Sequence, residues 1–155
     1  MAIEAPLSKY KKQNIWILVA VLLGLSVWCI EDGYFDEEFI EDNTTKNEVG
    51  EDVLGEWLIV NRYAPYVMIP GAILMAIRFF LIKDKKVVAG ETSLVLPGKE
   101  IPYDSIEKIN KTFFDKKGYF IVTYKEGDNE VDVKLSDRSY DNMPAVLDEL
   151  VKQIS

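Results

Sequence analysis

Two long apolar stretches constrain what this chain can fold into more than any other feature of its sequence. Residues 15–30 form a run of sixteen residues without a charge, and residues 63–82 form a run of twenty with Arg78 as the single charge. The first run makes about 24 Å of helix, which is a short span for a hydrocarbon core of about 30 Å. It has no polar face, which favours a membrane helix over a buried core helix. We therefore predict two transmembrane helices, at about 14–31 and 61–82.

A cleaved signal peptide is the competing interpretation of the first run. The run is long for a signal core, and no small-x-small cleavage site follows it. Residues 28–31 read WCIE, and a lipoprotein signal would need a small residue before its cysteine. We interpret the run as an uncleaved anchor and Cys29 as a packed apolar residue. In the second run, Pro65 and Pro70 remove backbone donors and are expected to kink the helix.

Charge along the chain is segregated and predicts the orientation. The net charge is −8, yet residues 31–57 alone carry eleven acids and one lysine. Lysines cluster at 9–12 and 83–86, and basic residues accumulate on the cytoplasmic side of membranes. We predict a multi-pass cell-membrane protein with cytoplasmic termini and an external or periplasmic loop 31–57. Juxtamembrane cations attract anionic lipid by about 1 kcal/mol each. The candidate headgroup contacts are Arg78, Lys83, Lys85 and Lys86.

The external loop 31–57 interleaves acidic clusters with aromatic residues. No window has the alternating oxygen ligands and turn glycine of a calcium loop, so no metal site is predicted. A solvated spacer, a short helix packing on a neighbour, and electrostatic docking of a basic partner such as a cytochrome are all compatible with this composition. The candidate docking residues are Asp36, Glu37, Glu38, Glu41 and Asp42.

Missing residue types exclude several classes of chemistry. The chain has no histidine, and Cys29 is its only cysteine. Histidine-dependent triads, zinc held by His or Cys, Cys-ligated iron–sulfur clusters and internal disulfides are therefore excluded. No phosphate-binding loop is present, and no carboxylate pair has a spacing that singles out an acid and a base. The acidic balance also argues against general nucleic-acid binding. We predict a non-enzymatic protein without cofactors.

Residues 84–155 predict a small antiparallel β-barrel or sheet capped by a C-terminal helix. Residues 118–125 and 130–135 are rich in strand-forming residues and flank a turn, which makes them the clearest hairpin. Residues 141–154 carry an apolar stripe at helical spacing. With residues 1–82 as a two-helix membrane anchor, the fold class is membrane α plus a small β domain.

The order of these elements resembles the pleckstrin-homology-like (PH-like) domain, in particular the compact bacterial versions that follow two transmembrane helices. The resemblance rests on residues 96–109, LPGKEIPYDSIEKI, with the hairpin 118–135 and the helix 141–154. It implies a cytoplasmic binding or scaffolding domain in a bacterial inner-membrane protein, not an enzyme. Some relatives bind phosphoinositides through basic residues in the first strand loops, but here Lys99 alone is basic in the turn 97–100.

A modest basic region with interleaved aromatic residues is the candidate interaction face of this domain. It comprises Lys108, Lys111, Phe113, Phe114, Lys116 and Lys117. We predict an accessory or scaffold subunit of a membrane protein assembly that acts by protein–protein interaction. Its expected partners are other membrane subunits and membrane lipids, without nucleic acid. Two alternatives stay open: an anionic-lipid-sensing membrane module, and an acidic docking subunit for a basic soluble electron carrier.

Overall fold

The computed structural model describes residues 2–154 and groups them into two units. The sheet unit contains the described part of two segments, Met1–Gln13 and Phe80–Ser155, and the helical unit contains Asn14–Phe79. Both ends of the chain thus contribute to the sheet unit. The anchor predicted from the sequence spans residues 1–82, whereas the structure groups the described residues before position 14 with the C-terminal strands.

Four helices lie between the first strand and the rest of the sheet unit. They are α1 (Lys9–Tyr34), α2 (Glu37–Asp42), α3 (Glu56–Tyr63) and α4 (Pro65–Ile82). Ser8 caps α1, because its Oγ accepts a hydrogen bond of 3.1 Å from the backbone N–H of Lys11. This cap lets α1 begin five residues before the predicted 14–31 helix. Pro65 begins α4, a position where its missing donor is tolerated.

Two helical stretches are long and apolar enough to cross a membrane. Lys9–Tyr34 has 26 residues and a window of mean hydropathy 2.0, and Glu56–Ile82, which joins α3 and α4, has 27 residues and a window of 1.9. Only 11% of either window is buried. The core helix of a soluble protein is mostly buried, whereas most of each window is exposed in this structure.

The acidic loop between the two apolar stretches has its own secondary structure. Asp36 caps α2 by accepting a hydrogen bond of 3.0 Å from the N–H of Phe39. A hairpin follows, formed by β2 (Thr44–Lys46) and β3 (Asp52–Leu54). Its turn contains Gly50 at φ +84°, which glycine adopts without strain. A short helix was among the expectations for this loop, whereas the hairpin was not.

The sheet unit contains two antiparallel sheets and a terminal helix. The four-stranded sheet has the order β1 (Ile3–Pro6), β4 (Lys86–Ala89), β5 (Ser93–Leu96), β6 (Lys99–Pro102). The three-stranded sheet has the order β7 (Ile106–Asn110), β8 (Tyr119–Glu126), β9 (Asn129–Ser136). The short helix α5 (Phe114–Lys117) connects β7 to β8, and α6 (Met143–Ile154) follows β9. The predicted antiparallel sheet with a C-terminal helix is confirmed.

Strand β1 pairs with β4 although the whole helical unit separates them in sequence. The register places Ile3 opposite Ala89 and Ala5 opposite Val87. Ala5, Val87 and Ala89 are completely buried. β1 is an edge strand, which is the position in a sheet where Pro6 is tolerated. The residues just before α1 and just after α4 are thereby joined in one sheet.

The core of the sheet unit lies beneath the long β8–β9 hairpin and one face of α6. On β8, Phe120 and Val122 point into it and are completely buried. On α6, Val146 and Leu150 are completely buried one helical turn apart. Full burial of such a side chain stabilises a fold by about 1.5–3 kcal/mol. The predicted hairpin and the apolar stripe of the last helix therefore both supply side chains to the core.

Candidate functional site

A basic pocket is the most distinctive surface feature of the sheet unit. It has a volume of about 310 Å³. Among the residues that the structure describes, its lining contains four cationic side chains and no acidic one. The lining residues are Lys116, Lys117, Tyr119, Lys134, Ser136 and Arg138. We refer to this set as the basic pocket.

Local backbone geometry brings these residues together from three elements. Lys116 and Lys117 end α5, and Gly118 follows in the left-handed conformation at φ +66°. The backbone N–H of Asp137 donates a hydrogen bond of 3.0 Å to the carbonyl oxygen of Gly118. A Cβ at Gly118 would clash with the Asp137 carboxylate, so glycine is required on both counts. The tight turn therefore holds the end of α5 beside the end of β9.

Two aromatic rings hold two of the pocket's ammonium groups. Phe113 and Tyr119 stack with ring centroids 5.4 Å apart and an interplanar angle of 23°. The Nζ of Lys117 lies 5.1 Å from the Phe113 centroid, and the Nζ of Lys134 lies 3.8 Å from the Tyr119 centroid. These are cation–π contacts, which place a cation without neutralising it. The charges of both lysines consequently remain available to an anion.

Four other lysines of the sheet unit, Lys86, Lys99, Lys125 and Lys152, are paired with carboxylates. Lys99 lies 2.8 Å from Glu126, and Lys125 lies 2.6 Å from Glu107. Hydrogen bonding to these partners raises the pKa of Lys99 and of Lys125, and it lowers the pKa of Glu107. Within residues 2–154, none of the four cations of the basic pocket forms a salt bridge.

The basic pocket lies at the end of the sheet unit from which the chain enters α1. The Oγ of Ser8 donates a hydrogen bond of 2.5 Å to the carbonyl oxygen of Arg138, and the N–H of Ser8 donates one of 3.0 Å to Ser139. Leu7 forms an isolated β-bridge with Tyr140, and its N–H donates to the carbonyl oxygen of Lys85 at 3.1 Å. The pocket is therefore one hydrogen bond away from the cap of α1.

The structure divides the interaction face that the sequence analysis proposed. Lys116 and Lys117 join the basic pocket, and Phe113 supports it. Phe114 instead packs edge-on against Phe120 at 5.6 Å and belongs to the core. Lys111 lines a different groove, together with Asp115 and Asp148, while Lys108 lies on β7 opposite Thr123.

Lys134 and Arg138 are the members of the pocket that sequence reasoning missed. They come from β9 and the turn after it, far in sequence from Lys116. The alternation of β9 does place Lys134 on the face opposite Leu135, but only the pairing of β8 with β9 brings it over Tyr119. Strand pairing is a long-range property, so a charge count along the chain does not reveal this cluster.

The candidate headgroup contacts fall in both units. Arg78 is an exposed residue of α4 in the helical unit. Lys83, Lys85 and Lys86 belong to the sheet unit and are exposed where the chain leaves α4. The Nζ of Lys83 lies 5.4 Å from the Phe80 ring centroid, and Lys86 forms a salt bridge of 2.5 Å with Glu4.

The acidic docking candidates are exposed on and beside α2. Asp36 is its cap, and Glu37 and Glu38 occupy its first turn, where negative charge interacts favourably with the helix dipole. Glu41 and Asp42 occupy its last turn. The helical unit contains eleven acidic and three basic residues, so it carries the whole net charge of −8. Among the residues that the structure describes, no cluster of acids, cysteines or histidines could hold a metal ion.

A close contact between α1 and α3 orders the helical unit and was not expected from the sequence. Gly33 is buried, and a Cβ there would lie 3.1 Å from the carbonyl carbon of Asn61. The Nε of Arg62 donates a hydrogen bond of 2.9 Å to the carbonyl oxygen of Gly33. Beside it, Asn61 donates to the carboxylate of Asp32 at 3.2 Å. We call this contact the α1–α3 clamp.

Comparisons with protein-family models, with curated proteins and with solved structures find no match to this chain. The basic pocket gathers four cationic side chains, whereas the α1–α3 clamp joins two helices.

Proposed function

We propose that this chain is a non-enzymatic two-pass membrane protein, an accessory or scaffold subunit whose sheet unit is a PH-like interaction domain at one membrane surface. The observation that carries the proposal is the pairing of β1 with β4. The chain leaves the sheet unit into α1, passes through two stretches that are long and apolar enough to span a bilayer, and returns at β4. Two crossings return a chain to the side from which it started.

Several features of the sheet unit support the PH-like part of the proposal. Two antiparallel sheets share a core with a terminal amphipathic helix, which is the arrangement that the resemblance implies. In this chain the two apolar helices stand between the first and second strands of the four-stranded sheet. The chain therefore connects the domain to the membrane twice, from β1 into α1 and from α4 into β4.

The exposed apolar faces of the two spans support a role as a subunit. Exposed large apolar residues lie on both stretches, among them Val27 at 65% and Leu74 at 66% exposure. Such faces are satisfied equally by lipid tails and by the helices of a partner. Lysines cluster before the first apolar stretch and after the second. By the positive-inside rule, this distribution supports cytoplasmic ends and an external loop.

Two alternative functions each have a supporting observation. The basic pocket favours an anionic-lipid-sensing module, because its four cations have no carboxylate partner in the described chain. The exposed acids on α2 favour docking of a basic soluble partner such as an electron carrier, because all the net charge lies in the helical unit.

The subunit proposal is tested by the mass of the particle purified from native membranes in a mild detergent. We expect a particle heavier than the 17.7 kDa chain plus its detergent, with a second integral membrane protein at fixed stoichiometry. The same preparation after treatment with a harsh detergent serves as the control and should give the chain alone. A monomer in the mild detergent, without a stoichiometric partner, would overturn the subunit proposal.

A further inference from the structure

We propose that the basic pocket binds the phosphate groups of anionic phospholipids and thereby docks the sheet unit on the leaflet next to it. This inference rests on the proposed function, since it requires that α1 enter the membrane. It assigns a ligand class, an anionic lipid surface, to Lys116, Lys117, Lys134 and Arg138.

The pocket concentrates positive charge in a unit whose net charge is zero. The two segments of the sheet unit carry fifteen basic and fifteen acidic residues. Among the described residues no acid lines the basic pocket, and the Asp137 carboxylate beside Gly118 is the acid at its border. The acids on the adjoining β1 and in the turn before α6 have other partners. Glu4 pairs with Lys86, and the carboxylate of Asp141 accepts a hydrogen bond of 3.2 Å from the N–H of Lys9. A local excess of cations is therefore left facing outward.

The donors of the pocket match a phosphate. Three lysines and one arginine line it, together with Tyr119 and Ser136. Arginine and lysine donate strong, charge-assisted hydrogen bonds to phosphate oxygens. The stacked Phe113 and Tyr119 rings hold Lys117 and Lys134 in position before any ligand arrives, which lowers the entropy cost of binding.

The position of the pocket near the start of α1 favours a membrane surface over other anionic ligands. The carbonyl oxygen of Arg138 accepts a hydrogen bond from Ser8, the residue that caps α1. Further lysines lie at the start of α1 and just after the end of α4. They are Lys9, Lys11, Lys12, Lys83 and Lys85. If α1 spans the bilayer, its first turn lies at the headgroup level, and the pocket is tethered there at high effective concentration.

The test uses the full chain in lipid nanodiscs, with a polarity-sensitive fluorophore on Ser139→Cys in a Cys29→Ala background. Discs contain phosphatidylcholine alone or with phosphatidylglycerol, and trace headgroup-spin-labelled lipid quenches the fluorophore when the pocket lies on the surface. We expect quenching to be at least about threefold stronger in the anionic discs, since one cation at an anionic surface changes a docking equilibrium by about fivefold. The difference should shrink at high salt.

Matched variants separate the pocket from the general charge of the domain. Replacing Lys116, Lys117, Lys134 and Arg138 by glutamine should abolish the lipid-dependent difference. A control variant, Lys99→Gln with Lys125→Gln, removes lysines that already have carboxylate partners and should retain it. Replacing the three pocket lysines by arginine should also retain it, which shows that charge and not lysine itself is needed. Amide exchange of β8 in neutral discs verifies that each variant is folded.

Each remaining outcome overturns the inference. Equal quenching in neutral and anionic discs, or unchanged quenching in the glutamine variant, excludes a lipid site in the pocket. If inorganic phosphate in solution abolishes the anionic-disc quenching at low millimolar concentration while ionic strength is constant, the site serves a free anion. Failure of the chain to insert into discs overturns the two-pass proposal as well, whereas insertion without lipid-dependent quenching overturns only the docking inference.

Discussion

Ala5 of β1 lies directly opposite Val87 of β4, and both side chains are completely buried in the core of the sheet unit. One residue stands before the first apolar helix and the other after the second. Because the two residues are paired in one sheet, Ala5 and Val87 lie on the same side of any membrane that the helices between them cross. The account of this protein as a two-pass anchor with one terminal domain depends on that contact.

The first prediction concerns β1. We expect Ala5→Glu to destabilise the sheet unit by about 3–5 kcal/mol, because it places an unpaired charge in the core. Hydrogen exchange of the β4 and β5 amides, measured on the full chain in detergent, should accelerate by more than a hundredfold.

Glu4→Gln is the matched control for this strand. Glu4 is exposed and pairs with Lys86 at the surface, so exchange should remain close to that of the unmodified chain. If Ala5→Glu left the β4 and β5 amides as protected as before, β1 would not be part of this sheet.

The second prediction concerns the α1–α3 clamp. Gly33→Ala should lower the thermal stability of the helical unit, because its Cβ would press against the backbone of Asn61 and Arg62 at 3.1–3.2 Å. Fluorescence of Trp28 and Trp57, which line one groove of this unit, reports its unfolding in detergent.

Gly24→Ala is the control on the same helix, since a Cβ at Gly24 meets nothing within 4 Å. This change should be neutral or slightly stabilising, because alanine is favoured over glycine in helices by about 1 kcal/mol. Equal effects of the two substitutions would mean that α1 and α3 do not approach each other at Gly33.

The third prediction concerns the packing of α6. Leu150 is completely buried, so Leu150→Ala should cost about 2–5 kcal/mol of unfolding free energy. Lys152→Ala, an exposed change on the same helix, should have little effect. Hydrogen exchange of the β8 amides distinguishes the two, and an undisturbed β8 in Leu150→Ala would show that α6 does not complete this core.

The fourth prediction is a dependence on alkaline pH. Burial raises the pKa of Tyr103 above its usual value of about 10, and its hydroxyl donates a hydrogen bond of 2.9 Å to the carbonyl oxygen of Gly90. A raised folded-state pKa gives stability that is complete below the unfolded pKa and is lost as pH rises through the folded value. Tyr103→Phe removes this dependence.

Its measurement is the stability difference between the unmodified chain and Tyr103→Phe as a function of pH. We expect about 1 kcal/mol in favour of tyrosine near neutral pH, from the lost hydrogen bond. The difference should decrease above pH 10. A difference that stays constant to the highest pH would show that Tyr103 ionises as readily in the folded protein as in the unfolded one.

Local pattern was sufficient to predict much of the sheet unit. Strict alternation in residues 130–135 and the stripe on the last helix are short-range signals, and both correspond to elements that the structure contains. The two apolar stretches likewise needed no tertiary information. Their helices extend beyond the predicted ends because Ser8 supplies a cap and α3 continues toward α4.

Features that depend on distant pairing were not predictable in this way. Strand β1 is four residues long, and its partner lies beyond the helical unit, so no periodicity in residues 3–6 marks it as part of a sheet. Arg138 and Lys134 join Lys117 only after β8 and β9 have paired. The fit of Gly33 against Asn61 depends on how two helices pack together. The sequence of an apolar helix does not show which residue packs against one of its glycines.

Accessibility of single cysteines in intact cells tests the central claim most directly. In a Cys29→Ala background, cysteines are placed at the exposed positions Ala2, Glu48 and Asp128 and treated with a membrane-impermeant maleimide. The account predicts that Glu48→Cys reacts from outside, while Ala2→Cys and Asp128→Cys react only after the membrane is permeabilised. Equal reactivity of all three positions, or a difference between positions 2 and 128, would contradict it.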